Sequence, residues 1–508
     1  MATPAEGEKW GRNTEATLHN SCAAWYLARM KNHAHRATAS LLSGLVCISA
    51  AGICVPAASA QCPPTYSGFI GTPGLQDGYA DPILAYDDGS GEKLYVGGSF
   101  SEIGGLVSQL LARYNPVTND WERLGTGLGL GFTNGFLTSM VPFNDGSGTR
   151  LIVAGLFANA GGVANTQSIA AWNGSQWQSL SLNVPQGTAI WDMVVGDLGQ
   201  GPRLFVAGGS TVPFGGIAQF DGESWSAVGT GVGIAGVFSP YIADLEIFDD
   251  GTGPALYAVG RFDTIDGQNT ALAARFRNGT WQRIGFGLTR LGDSLRQLDS
   301  MTIHNPGTGP ALYVGGTSFG ITGVSGTRHT ARWNGSNWAF VGQSLGTGRV
   351  TALRSWNNGS DTSLYFSGTA FPGINNFGKL VGNTWESVDG SLRDSSTPNR
   401  TTSGNWPSAF GMGEWRGDLV IGGSFVSIGP VDARGIATLE RCGNSCDYDY
   451  NQDENIDLLD AQQMAQVFVG LLTPGANWLD GDLNNDENAD LTDAQLLAAY
   501  VVSGNCGV

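Results

Sequence analysis

One seven-residue phrase recurs along most of this chain and limits what it can fold into. LYVGGSF (94–100) returns as LIVAGLF (151–157), LFVAGGS (204–210), LYAVGRF (256–262), LYVGGTS (312–318), LYFSGTA (364–370) and LVIGGSF (419–425). Most copies follow a turn such as DDGSG (87–91), NDGSG (144–148), DDGTG (249–253) or NPGTG (305–309). Most precede a strand, an Asn-Gly-like turn and a tryptophan, as in AAWNGSQW (170–177), AQFDGESW (218–225), ARFRNGTW (274–281) and ARWNGSNW (331–338). The closing residues Trp121, Trp177, Trp225, Trp281, Trp338 and Trp385 are 56, 48, 56, 57 and 47 residues apart.

A period of this length holding four short strands is the signature of a β-propeller. A four-stranded sheet cannot bury both faces alone, but it can when stacked on like sheets around an axis. Asn-Gly and Asp-Gly supply the positive φ that type I′ hairpins need, and the Gly pair of VGG lets strands crowd near the axis. The seventh copy lacks a closing Trp strand, and the chain leaves the repeat after GIATLERC (435–442). TYSGFIGTPGL (65–75) reads as the orphan closing strand that completes the seventh unit and shuts the ring. The repeat resembles a family of secreted bacterial β-propellers with LYVGGSF and LARYN-type repeats, loosely related to kelch-like propellers, over residues 65–441. That resemblance implies a fold but no activity, since propellers host enzymes, scaffolds and binders alike.

The expected fold class is mainly β: a seven-bladed β-propeller at 61–441, preceded by an extension and signal peptide at 1–60 and followed by a small α-helical calcium-binding domain at 442–508. The apolar run 41–55 is too short to span a membrane comfortably. It follows Arg29, Lys31 and Arg36 and ends in Ala58-Ser59-Ala60. It therefore reads as a signal peptide cleaved before Gln61, giving a secreted protein with no membrane span. Met30 is the expected true start. The 77 glycines and 15 tryptophans suit a β chain rich in tight turns. A net charge of −18 argues against nucleic acid or an anionic membrane as partner.

Residues 442–508 hold 12 Asp and Glu and no Lys or Arg, interleaved with apolar runs, so a folded unit around a cation is expected there. DYNQDENIDLLD (449–460) and DLNNDENADLTD (482–493) both place Asp, Asn and Asp at positions 1, 3 and 5 and Asp at 9 and 12. Ca²⁺ takes six to eight oxygens in a flexible shell, and this spacing supplies them. The first set of ligands is Asp449, Asn451, Asp453, the Asn455 carbonyl, Asp457 through water and Asp460. The second is Asp482, Asn484, Asp486, the Asn488 carbonyl, Asp490 and Asp493. Each loop runs into an apolar-periodic helix, at about 458–472 and 491–502, with no helix before it.

A loop followed by a single helix, repeated after 33 residues, resembles the type I dockerin module over residues 447–506. The resemblance implies two bound Ca²⁺ ions, a cohesin-like or cell-surface partner, and a role in polysaccharide breakdown. Glu454 and Glu487 stand where the calcium-loop pattern wants Gly. Leu458-Leu459 and Leu491-Thr492 depart from the Ser-Thr pair that helps select a cohesin, which leaves the partner unnamed.

Past the signal segment the cysteines are Cys62, Cys442, Cys446 and Cys506, so three pairings are open. Ring closure favours Cys62–Cys442. The ends of a dockerin lie together, which favours Cys446–Cys506, a clasp contributing on the order of 4 kcal/mol.

No catalytic constellation stands out. Only His304 and His329 remain in the mature chain, which supports neither a Ser-His-Asp site nor copper or zinc chemistry. Asp244, Glu246, Asp263 and Asp266 are carboxylates that folding could pair for glycoside hydrolysis. The Asp249-Asp250-Gly series reads as hairpin turns, the Asn173 and Asn334 sequons as type I′ turns, and the recurrent tryptophans as core. Two functions therefore compete, beside a third reading in which the calcium loops serve only stability and export. One is a binding protein docked by its calcium module; the other is a polysaccharide-degrading enzyme tethered the same way. Carboxylates clustered at one mouth of the axis favour the enzyme, and a mouth of Gly, Ser and Thr favours the binder.

Overall fold

The computed structural model describes residues 65–441 apart from 69–73, 132–134, 235–238, 290–296, 347, 370–375, 389–391, 394–407 and 430. It also describes a short antiparallel pair, Leu45–Cys47 with Cys54–Pro56. The described chain is nearly all β, its one helical turn being the 3₁₀ segment Pro213–Gly216.

Seven four-stranded antiparallel units follow one another, here called sheets I to VII. Sheet I runs Tyr79–Asp87, Glu92–Ser99, Leu111–Asn115 and Asp120–Glu122, in that spatial order. Sheets II to VI repeat the plan from first strands at Phe136–Asn144, Ile190–Asp197, Tyr241–Asp249, Leu298–His304 and Arg349–Asn357. Sheets V and VI are fused by one pairing, Thr317 with Arg349. Sheet VII takes Ala409–Trp415, Asp418–Gly423 and Ile436–Leu439 from the end of the repeat, and its fourth strand is Tyr66–Gly68 from the beginning. Tyr66 pairs with Leu439, Ser67 with Thr438 and Gly68 with Ala437. The strand expected of the 65–75 segment is therefore present.

The recurring phrase is the second strand of each sheet. Alternate residues of a strand point to opposite faces, and here both faces are buried. Leu204 and Val206 join a cluster with sheet II, while Phe205 and Ala207 join one with sheet IV. This explains why the phrase is continuously apolar instead of alternating. The core comes as seven slabs, one between each pair of neighbouring sheets, including one between VII and I in which Val420 and Trp415 meet Leu94 and Val96. The first strands likewise pack each against the next, from Tyr79–Asp87 round to Ala409–Trp415 and back. The stack of sheets is closed.

Two features hold neighbours in place. Four of the closing tryptophans, Trp177, Trp225, Trp281 and Trp338, send an indole N–H to a carbonyl one sheet back. Trp177 donates to the Leu124 carbonyl at 3.0 Å, Trp281 to Val228 at 2.9 Å and Trp338 to Ile284 at 3.0 Å. The second aspartate of the turn before the phrase is a buried anchor. Asp250 accepts from the Tyr257 hydroxyl at 2.9 Å and pairs with Arg275 and Arg277. Asp88 does the same with Tyr95 and Arg113. Asp249 caps its own turn, accepting from the amides of Gly251 and Gly253 at 2.9 and 2.8 Å. These are turn and latch residues, as the Asp-Asp-Gly pattern suggests.

The turn type differs from expectation at the sequons. Only the glycines following Asn173 and Asn334 have positive φ, 92° and 90°. Each Asn carboxamide oxygen instead accepts from the backbone two and three residues on. They are Asx turns, in which the side chain does what a second positive φ does in type I′. Asn278-Gly279, with φ 52° and 79°, is the pair that fits type I′.

Candidate functional site

The site grows from one backbone irregularity that every sheet repeats. Near its start each first strand carries a β-bulge against the second strand, between Leu137 and Ser139, Ile190 and Asp192, Ile242 and Asp244, Leu298 and Ser300, Val350 and Ala352, Ala409 and Gly411, and Ala80 and Ile83. A bulge re-aims the side chains beside it. It also pushes the first strand's carbonyl over the second strand's α-carbon. A Cβ on Gly98, Gly155, Gly260, Gly316 or Gly423 would lie 2.0–2.2 Å from that carbonyl oxygen. This position, the fifth of the phrase, is glycine in all seven copies. The crowding expected of the VGG pair is found at both glycines: a Cβ on Gly97, Gly315 or Gly422 would lie 2.5–2.8 Å from Pro82, Val350 or the Ala80 carbonyl oxygen. The first position is Ala154, Ala207, Val259 or Ser367 in other sheets.

The bulges turn side chains toward the axis in layers. Around the mouth where the first strands begin stand Tyr79, Phe136, Trp191, Tyr241, Asp299, Arg349 and Phe410, one from each sheet. Tyr79 and Phe410 rings lie 5.1 Å apart. Phe136 stacks on Trp191 at 5.5 Å with 24° between planes, and Trp191 meets Tyr241 at 5.8 Å. The Arg261 guanidinium covers the other end of this row, 4.8 Å from the Tyr241 centroid. Trp191 is 37% exposed, while Tyr79, Phe136, Tyr241 and Phe410 are half-buried. Arg349 clasps Asp299 through Nε at 2.6 Å and Nη2 at 2.5 Å, and the Gln297 amide adds a bond of 2.7 Å to the same carboxylate.

Carboxyls lie below the rim. Asp192 and Asp244 occupy matching positions in sheets III and IV and peg the ring together. Asp192 Oδ2 accepts from the Leu245 amide at 2.8 Å, and Asp244 Oδ2 from the Met301 amide at 2.5 Å. Ser139 and Ser300 do the same for Met193 and Leu353 at 3.2 and 3.0 Å. The two aspartates lie close enough to influence each other's ionisation. Burial pushes Asp192 up to about 6 and Asp244 well above the usual range. Asp81 differs. It accepts no hydrogen bond from any described residue, and it leans over sheet VII so closely that a Cβ on Gly411 would lie 2.7 Å from its Oδ1. Burial, and then the charge of Asp192, push it up to about 7. Asp81 and Asp192 influence each other across sheet II, which is a consequence of facing one axis. Glu246, deeper and level with Arg354, is raised to about 7 by burial and by Asp192, with Arg354 opposing.

Of the four carboxylates singled out from sequence, Asp244 and Glu246 line the axis. Asp263 and Asp266 do not; they belong to the hairpin between the second and third strands of sheet IV. There Asp266 caps Thr230, accepting from its amide and, at 2.9 Å, from its hydroxyl. Asp81, Asp192 and Trp191 escaped the sequence reading because none belongs to the recurring phrase. Their signal is visible once first strands are aligned on the bulge, in YADP, IWDM and IADL. His304 bonds Ser355 through Nδ1 at 2.9 Å, and no cluster of three or more His, Cys, Asp or Glu suited to a metal occurs among the described residues. The twelve calcium-ligand candidates between Asp449 and Asp493, and all four mature cysteines, lie outside the described residues.

No helix among the described residues is long and apolar enough to cross a membrane. No family model matches the chain, and neither does any curated protein. Among solved structures it is similar to the extracellular domain of a one-component system from B. thetaiotaomicron, with 10% identity, 74% of this chain and 40% of that one covered, and a TM-score of 0.45. A chain of the mitotic checkpoint complex matches at 14% identity, covering 78% of this chain and 99% of that one, with a TM-score of 0.41. The GH74 enzyme of Niastella koreensis matches at 14% identity, covering 73% and 53%, with a TM-score of 0.39. The chain spans only about 40% of the length of the first of these, and the three likenesses assign it no substrate or partner.

Proposed function

We propose that the chain is a secreted seven-bladed β-propeller that binds polysaccharide at the aromatic mouth of its axis, and that residues 442–508 form a dockerin-like module which takes two Ca²⁺ ions and docks it to an extracellular partner. The row Phe136–Trp191–Tyr241 carries the ligand assignment. Aromatic faces beside fixed polar groups suit pyranose rings, which are apolar on one face and ringed by hydroxyls at the edge. The Asp299–Arg349–Gln297 group supplies acceptors and donors on the far side of the mouth.

The route of the chain suits this arrangement. Glu440 donates to the Thr65 carbonyl at 3.0 Å and the Arg441 amide to Asp418 at 2.7 Å. Asp418 sits at the hairpin between the first two strands of sheet VII, at the end of the axis remote from the mouth. The described repeat therefore ends, at Arg441, at the end of the axis remote from the mouth.

An enzyme is the second reading, favoured by one observation: Asp81 is a carboxyl on the axis that no donor among the described residues occupies, and burial and the Asp192 charge push it up to about 7. Such a group serves as a general acid in glycoside cleavage. Binding and hydrolysis of soluble xylan, β-glucan and mannan by the full chain, with and without chelator, test both. Binding that survives in Asp81→Asn and is lost in Trp191→Ala, without product release, supports the binder. Product release by the native chain that Asp81→Asn abolishes establishes the enzyme. Absence of binding to all three glycans removes the ligand assignment.

A further inference from the structure

We infer that the mouth takes the end of a glycan chain and not its middle. The inference rests on the polysaccharide reading above and adds the mode of binding. The binding of an internal segment needs a cleft open at two sides. Among the described residues each of the seven sheets sends a side chain to the rim, and four of the seven gaps between neighbours are bridged. Tyr79 touches Phe410, Phe136 touches Trp191, Trp191 touches Tyr241, and Arg349 reaches from sheet VI to Asp299 of sheet V. The bulge repeats in every sheet, so every sheet contributes to the rim from the same place in its first strand.

The layer beneath gives the funnel a floor. Asp81 lies there with free hydrogen-bonding capacity, backed by the Asp192–Asp244 pair and then by Glu246. A neutral carboxyl both donates and accepts, which matches the hydroxyls of a terminal sugar pointed down the axis. An anionic terminus is disfavoured, since the floor holds Asp81, Asp192, Asp244 and Glu246, with Arg354 opposing them at Glu246.

The test uses the full chain and linear soluble xylan, titrated calorimetrically before and after limited acid hydrolysis at constant sugar mass. End binding predicts that halving the mean chain length doubles the number of sites per gram while the affinity per site is unchanged. Trp191→Ala, checked for an unaltered unfolding midpoint, should lose this binding. A site number per gram that does not change with chain length, with binding intact, overturns end recognition and leaves the polysaccharide reading standing. If xylan is not bound, linear mannan and β-glucan are titrated in the same way. Failure of all three removes the reading itself.

Discussion

Replacing Asp81 with Asn should make the ring more stable, and only at high pH. In the folded chain burial and the Asp192 charge raise Asp81 from 3.8 to about 7. The folded form therefore holds this proton more tightly than the unfolded chain does. Between pH 4 and pH 7 the unfolded carboxyl has released its proton and the folded one has not, so stability falls as pH rises through that window and levels off above it. A shift of about three units is worth about 4 kcal/mol at 1.36 kcal/mol per unit, and solvent in the axis lowers the realised value to about 2–4 kcal/mol. Asparagine keeps the shape over Gly411 and carries no charge. Thermal midpoints of the native chain and Asp81→Asn, measured from pH 4 to pH 9, should nearly coincide at the acid end and diverge upward for the variant above pH 7. Parallel curves, or a native chain that gains on the variant with rising pH, would show that Asp81 is not an enclosed axial carboxyl.

Other changes probe the frame. Gly316→Ala puts a methyl 2.2 Å from the Gln297 carbonyl oxygen and should cost about 1–3 kcal/mol or more by overpacking, whereas Gly307→Ala meets nothing within 4 Å and pays only for its φ of 89°; comparing the two midpoints isolates the bulge. Trp281→Phe keeps an aromatic ring but leaves a small cavity and strands the Val228 carbonyl, the lost hydrogen bond alone costing about 1–3 kcal/mol in chemical denaturation. Asp250 is held well below the usual range, burial being outweighed by its bonds to Thr252, Tyr257, Arg277 and Arg275. Its stabilisation is complete above pH 4 and fades below it, so Asp250→Asn should cost about 3–5 kcal/mol at pH 7 and less at pH 3. Calorimetry should find two Ca²⁺ per chain, falling to one in either Asp449→Ala or Asp482→Ala, with a chelator reversing the uptake.

The stacked-sheet frame was legible because its elements repeat. Seven copies of an apolar phrase between turn signals mark seven second strands, and the recurring tryptophans mark their closing neighbours. The orphan TYSG strand was legible for the same reason, since sheet VII was visibly one strand short. The site was not legible, because its residues are those that do not repeat. Matching positions of the first strands hold Ser139, Asp192, Asp244 and Ser300 as pegs, but Trp191, Phe410 and Asp81 at the bulge. Composition and periodicity see only what recurs. Asp263 and Asp266 illustrate the converse: near Asp244 in sequence, they are carried off by the hairpin that follows the second strand. The glycine pair was expected to let strands crowd, and it does, but the carbonyl that crowds its second member was not legible because it belongs to another strand.

A crystal structure of the full chain soaked with the oligosaccharide it binds most tightly tests the ligand site most directly. The account predicts a terminal sugar within van der Waals contact of Trp191 and Tyr241, its outermost hydroxyl hydrogen-bonded to Asp81. A sugar seated on the outer strands, or at the hairpin end near Asp88 and Asp250, with the mouth empty, would contradict it.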